Sequence, residues 1–262
     1  MVYIIQDKVV LVTGANRGIG KALVDAFLRH GARKVYAAVR NIDSAMAAFP
    51  EECEEAKVIP VTMDLSNPET IQTAAEIATD VEIVINNAGI ISHTGPLDDN
   101  TVERLQEEMT VNVYGLIAVA RAFVPLLEQR SGCGILVQLN SVASLRCGVS
   151  SVATYSASKA ASFSLTQAMR QELKPKGIHV VSVHPGPVAT EMLADALKEF
   201  LDVAETPSNV AERLIDALTS RDESSDKPNP PFLVYPDEKS AHLGTVYEGF
   251  AKRVVEEGHS YG

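Results

Sequence analysis

Positive charge is scarce in this sequence. Its 262 residues carry 23 Lys and Arg against 34 Asp and Glu, a formal net charge of −11. Phosphate backbones and anionic bilayers bind through clustered cations, so nucleic acid and membrane are set aside as partners. A small phosphorylated ligand stays open, because one or two local cations suffice for it. Cysteine is scarcer still. Cys53, Cys133 and Cys147 are scattered with no C-x-x-C, and the six His show no metal-ligand spacing. Neither a zinc site nor a disulfide framework is expected, and the usage suits a reducing cytoplasm. An amino-terminal signal pattern is missing, since Asp7 and Lys8 come almost at once, and no uninterrupted apolar run reads as long enough to span a bilayer. There is no repeat, low-complexity tract or long linker to divide the chain, so 1–262 reads as one domain working in the cytoplasm.

What is present is alternation. Residues 8–13, 34–39, 57–62, 81–86, 135–139, 179–184 and 232–235 are short apolar runs rich in β-branched residues, and each reads as a strand. Residues 18–29, 68–79, 101–128 and 154–173 read as helices, the second with Pro68 in its first turn, where a missing N–H costs least. The acidic run 51–55 reads as a solvated loop or helix end, and 222–231 as a polar loop. Strands this apolar are buried on both faces, as parallel strands between two helical layers must be. The expected fold class is α/β: a doubly wound parallel sheet of about seven strands, with ligands at its carboxyl edge.

The informative spacing is Tyr155-Ser156-Ala157-Ser158-Lys159. On a helix, positions i and i+4 share a face, so a phenol and an ammonium lie side by side, and a nearby cation favours the phenolate. Alone the pair also fits a solvated helix face; its company matters more. After the first strand comes Thr13-Gly14-Ala15-Asn16-Arg17-Gly18-Ile19-Gly20. Glycines there allow a tight turn and let backbone approach a pyrophosphate at the positive end of the next helix. The third and fourth strands are followed by Asp64-Leu65 and Asn86-Asn87-Ala88-Gly89. Asp64 can accept from an adenine amino group or simply close a turn. The Ala88-Gly89 stretch leaves room for a ribose, while Asn86 can tie the loop together.

In order along the chain, TGANRGIG, Asp64-Leu65, NNAG, Asn112, Ser141, YSASK and the run from Pro185 and Gly186 through Val188 to Thr190 resemble the short-chain dehydrogenases/reductases. The likeness covers about residues 8–190 and is to the compact branch with a single-domain Rossmann fold. It implies that Tyr155 is general acid in carbonyl reduction and base in alcohol oxidation. Lys159 would hold the nicotinamide ribose and ease proton loss from Tyr155, and Ser141 would bond the substrate oxygen. Asn112 would anchor a water linking Lys159 to solvent, and Thr190 would bond the nicotinamide carboxamide. Fourteen positions separate Ser141 from Tyr155, slightly more than is usual, and Ser144, Ser150, Ser151 and Ser156 are alternatives.

The second strand ends Ala38-Val39-Arg40-Asn41, without the carboxylate that grips ribose hydroxyls in NAD-preferring relatives. Arg40, with Arg17 in the glycine turn, can pair with a 2′-phosphate or can simply face solvent. NADP(H) is the expected cofactor, with NAD(H) possible. The expected substrate wall is Val142, Leu145, Cys147 and Val149, with His93, Met192 and Leu193, and residues 191–207 form a lid over it. That wall suits a hydrophobic ketone or aldehyde, though each member can equally fill core, and Cys147 reads as a small hydrophobe rather than a nucleophile. The expectation is an NADPH-dependent carbonyl reductase. The alternatives are a dinucleotide-binding redox sensor without turnover and, less suited to the short C-terminal part, a sugar-nucleotide epimerase. Apolar residues at helical spacing (Val113, Leu116, Ala120, Phe123, Leu127, then Ala160, Phe163, Ala168, Met169) suggest a homodimer or homotetramer.

Overall fold

A computed structural model describes residues 3–130, 134–220 and 230–256, with side chains to residue 249. Cys133 and residues 222–229 of the polar loop lie outside the described residues. Seven parallel strands, β1 (Val9–Thr13), β2 (Lys34–Val39), β3 (Val58–Thr62), β4 (Ile83–Asn86), β5 (Gly134–Leu139), β6 (Ile178–Val183) and β7 (Leu233–Val234), form one sheet in the order β3-β2-β1-β4-β5-β6-β7. This is the expected doubly wound Rossmann arrangement, and each strand lies within two residues of its expected bounds.

The period of two along a strand divides the core. Val10 and Val12 face one layer with Leu23 and Phe27 of α1 (Gly18–Arg29) and Leu214 and Leu218 of α9 (Pro207–Thr219). Val9 and Leu11 face the other, with Ile71 of α4 (Pro68–Ile77), Phe123 of α6 (Gly115–Glu128) and Leu173 of α7 (Ala153–Leu173). Because the strand order reverses between β1 and β4, loops on either side diverge there and leave a crevice at the carboxyl edge.

Among the described residues, four helices outside the expected lid were not foreseen: α2 (Ile42–Ala48), α3 (Pro50–Glu54), α9 and α10 (Glu238–Glu256). The acidic run 51–55 is mostly α3. α9 had a signal in Thr206-Pro207, a cap followed by Pro in the first turn, and the Thr206 hydroxyl accepts from Asn209 N at 3.1 Å.

The long helix at Thr101–Glu128 is continuous, comprising α5 (Thr101–Met109), one π-turn at Thr110–Tyr114, and α6. With a mean hydropathy of 1.6 over its best window, it is long and apolar enough by length and composition to cross a membrane, although Arg121 interrupts its apolar run. Half of that window is buried inside the protein. Val113, Leu116, Ala120, Phe123 and Leu127 are all in the core, so the stripe read as an oligomer contact is spent within the chain. Phe163 is buried as well, whereas Ala160 and Ala168 are exposed.

Candidate active site

The glycine turn is shaped by its neighbours. Gly14 and Gly18 hold φ of +65° and +54°, where side chains are strained, and a Cβ on Gly20 would stand 2.1 Å from the Gly14 carbonyl oxygen. Thr13 binds the loop after β4 to this turn, its hydroxyl accepting from Asn87 N at 3.0 Å and Ala88 N at 2.9 Å. That hydroxyl donates to Asn86 Oδ1 at 3.2 Å, and Asn86 Nδ2 reaches Gln138 Oε1 at 2.8 Å. Asn86 therefore does tie the carboxyl edge together.

Above this edge lies a cavity of ≈ 450 Å³. Its walls include Gly14, Asn16, Arg17, Gly18, Ile19, Gly20, Arg40, Asp64, Leu65, Asn87, Ala88, Gly89, Tyr155, Lys159, Pro185 and Thr190, all foreseen at the cofactor groove. His93 and Met192 line it too. Gly186 and Val188 do not. The Gly186 N–H donates instead to Asp237 Oδ2 at 2.8 Å, and Val188 is buried, bridging to Glu205. Val142, Leu145 and Cys147 also lie off the cavity, because a 3₁₀ turn at Val142–Ser144 carries the chain away and leaves Cys147 exposed. The wall is built by Ile90, Ile91, Met192 and Ala196, with Asp195 and Glu191.

Tyr155 sits in the first turn of α7, half-buried. Desolvation pushes its phenol up to about 12, with the Ser141 hydrogen bond opposing and the charge of Glu108 adding to the rise. The i,i+4 spacing alone led to the opposite direction. Lys159 Nζ stands 5.8 Å from the Tyr155 ring centroid and donates to Leu139 O at 2.8 Å, while burial pushes it down to about 8. Two of its three protons are left for a ligand. Asn112, in the π-turn, donates to Ile90 O and Ser158 Oγ and accepts from Ile90 N, each at 2.9 Å.

Three elements of the site went unforeseen. Glu108 is buried on α5, with one oxygen accepting from Ser92 N at 2.6 Å and the other unpartnered, and burial raises its carboxyl. Arg17 pairs with Glu191 at the start of α8 (Glu191–Ala196), across the cavity mouth. His184, fully buried behind Ser141, is pushed down to about 4, chiefly by desolvation. An unfolded imidazole takes its proton as pH falls through 6.5, whereas this one waits until about 4. The unfolded state binds more protons in that window, so stability present above 6.5 is lost as pH falls toward 4. The melting temperature should drop across this window, and His184→Asn should flatten the part that imidazole causes. Parallel melting curves for the two proteins would refute this.

Known proteins bear on this geometry. Residues 8–199 match the family of short chain dehydrogenases. The chain belongs to that family. This short chain dehydrogenase is 36% identical over 194 residues to 1-deoxy-11-beta-hydroxypentalenate dehydrogenase of Streptomyces exfoliatus, covering 72% of this chain and 70% of that one. A short chain dehydrogenase from Burkholderia cenocepacia, crystallised in complex with NADP, superposes with a TM-score of 0.81 at 30% identity, covering 98% of this chain and 99% of that. The 3-ketoacyl-(acyl-carrier-protein) reductase of Brucella melitensis, complexed with NADH, gives 0.76 at 26% identity, covering 88% and 97%. The chain is thus an oxidoreductase by family, with the Rossmann sheet of its relatives.

Proposed function

We propose that this oxidoreductase is an NADPH-dependent carbonyl reductase, reversible as an alcohol dehydrogenase, in which 1–262 is one catalytic domain and 191–207 its lid. One observation carries the reading: the Tyr155 phenol, whose pKa the nearby Ser141 acts to lower, shares a single cavity with a glycine turn and a buried Lys159 with protons to spare. The glycine cradle fits a dinucleotide, since any side chain on Gly20 would close it. Gly14 to Gly20 would take the pyrophosphate, Asp64 and Leu65 the adenine, Asn87 to Gly89 and Lys159 the nicotinamide ribose, and Thr190 the carboxamide. When bound, the nicotinamide supplies the hydride.

The chain's own groups do the rest. Tyr155 keeps its proton at ordinary pH and hands it to the carbonyl oxygen, while the Ser141 hydroxyl shares that oxygen as negative charge grows on it. Lys159 then stabilises the phenolate left behind. Asn112 would anchor a water on the proton path, and because its side-chain amide is committed to Ile90 and Ser158 it would do so from its backbone. The lid leaves and returns to one point, since Ala189 N donates to Glu205 O at 2.8 Å and Glu205 N to Pro187 O at 2.9 Å. Such an excursion can close without disturbing its base.

NADP is favoured by the uncharged end of β2, by Arg40 at the cavity, and by the Burkholderia relative's ligand; NAD stays possible, as the Brucella reductase carries NADH. Ile90, Ile91, Met192 and Ala196 suit a hydrophobic ketone or aldehyde. The test is NADPH oxidation across aldehydes, aryl ketones, keto esters and steroids. Tight cofactor binding with no turnover on any of them would overturn the reading in favour of a sensor, which no observation supports.

We also propose a homodimer or homotetramer. With the inner stripe spent in the core, the contact must use the outward side of the π-turn, α6 and α7, where Tyr114, Arg121, Ala157 and Ala160 are exposed. Sedimentation at micromolar concentration should show a multiple of 28.1 kDa; a monomer alone would sink this.

A further inference from the structure

Behind Ser141 runs a chain of buried polar groups that the reaction itself does not use. Ser162 Oγ on α7 donates to Asn140 Oδ1 at 2.8 Å, and Asn140 Nδ2 donates to Ser182 Oγ at 2.8 Å. Ser182 Oγ lies 2.8 Å from His184 Nε2, and His184 Nδ1 lies 3.0 Å from Ser144 Oγ and 3.2 Å from Ser141 O. Ser144 Oγ donates to Ser141 O at 2.5 Å. Ser144 and His184, with Asn140, Ser162 and Ser182, are all buried.

Proton counting gives the chain one direction. The Ser141 carbonyl can only accept, and Ser144 Oγ has already given its one proton to that carbonyl, so the nitrogen facing both must donate and Nε2 of the neutral ring accepts from Ser182 Oγ. The ring proton is then on Nδ1, aimed at Ser144 Oγ and the Ser141 carbonyl. That carbonyl accepts from Ser144 N at 3.0 Å as well. Its peptide plane is fixed from three donors while the Ser141 side chain faces Tyr155. Backbone pairs fix the flanks: Asn140 N donates to Val183 O at 2.8 Å and Val142 N to Pro185 O at 3.0 Å.

We infer that His184 is a positioning residue for Ser141: through its Nδ1–H it holds the Ser141 carbonyl and the turn after β5, and so sets where the Ser141 hydroxyl meets the substrate oxygen. This rests on Ser141 binding that oxygen, as proposed above. The edge of the Phe163 ring against the imidazole, with centroids 4.6 Å apart and planes at 83°, keeps the ring from turning out of this role.

Two amides separate the two ring nitrogens. An Asn side chain places its NH₂ near Nδ1 and keeps the Ser141 link while abandoning Ser182. A Gln side chain reaches the Nε2 position and does the reverse. His184→Phe fills the volume and bonds neither. The readouts are kcat and KM for the best carbonyl substrate, KM for NADPH, and melting temperature. His184→Phe and His184→Gln should lose about tenfold or more in kcat, since small misplacement at a reacting centre costs that much. His184→Asn should stay within about threefold while melting lower than His184→Gln, and NADPH KM should hold in all three. A merely structural role would make turnover follow melting temperature.

If His184→Phe does not fold, Ser144→Ala removes the hydroxyl between the ring and the turn while leaving Nδ1–H on the Ser141 carbonyl, and should give a smaller loss in kcat with NADPH KM unchanged. In a Ser141→Ala background, His184→Phe should cost nothing more. Parent turnover in His184→Phe, or equal damage in the Asn and Gln variants, overturns the inference alone. Parent turnover in Ser141→Ala overturns the role of Ser141 and the inference with it.

Discussion

Tyr155→Phe is expected to reduce turnover of the best carbonyl substrate by about 10²–10⁴-fold, the range that a positioned acid contributes. The ring survives this change, so packing against α7 and the affinity for NADPH should be preserved; only the proton is lost. In the free protein burial holds the phenol at about 12 and Lys159 at about 8, so the first proton to leave as pH rises is the lysine's. It follows that kcat/KM for NADPH, which reports the free enzyme, should fall as pH rises through about 8, when the ribose-binding charge is lost. Stopped-flow reduction at fixed NADPH, with cofactor titration in parallel, measures both. A Phe variant that turns over at the parent rate would mean that another group delivers the proton.

The parts of the site that could be read in the sequence are the ones that neighbours along the chain determine. Gly14, Gly18 and Gly20 are read from a strand, a turn and a helix in immediate succession, and Tyr155 with Lys159 from one turn of helix. Strands read well because burial on both faces leaves continuous apolar runs, as in Val9 to Val12. What stayed hidden is pairing across long separations. Arg17 meets Glu191, Gly186 meets Asp237, and Ser141 meets His184; nothing local in either partner announces the other. Gly186 fits a ligand loop in sequence, yet a Cβ there would stand 2.8 Å from Asp237 Oδ1, so a carboxylate at the start of α10 explains the glycine. The wall beyond Ser141 was misplaced for a different reason. A 3₁₀ turn of three residues, Val142–Ser144, turns Leu145 and Cys147 away from the cavity, and such short turns leave no periodicity to detect. The same limit hid the π-turn at Asn112, whose extra residue is invisible in an otherwise regular helical pattern.

Exchange of Val39 for Asp should reverse the cofactor preference, shifting the kcat/KM ratio of NADPH over NADH by about a hundredfold, since it adds repulsion and attraction at once. Val39 is 3% exposed and packs in the core, yet it lines the cavity at the end of β2, so a carboxylate there would come beside an adenosine ribose bound in it. It would repel a 2′-phosphate and accept from the hydroxyl that NADH has in its place. Arg40→Ala should act more weakly, about tenfold, because Arg40 is exposed and solvent screens its pairing. Arg40 also has a rival, since its charge helps hold the Asp64 carboxyl below the usual range, after the bonds from Ser66. Arg17 should contribute less than Arg40, for Glu191 already engages its guanidinium. That competition supplies an internal check: Glu191→Gln frees Arg17 and should raise the NADPH preference a few-fold, opposite in sign to Arg40→Ala. The measurement is the ratio in the parent and the three variants at one ionic strength. A parent that prefers NADH, or a ratio that neither Val39→Asp nor Arg40→Ala moves, would place the 2′-phosphate away from the end of β2.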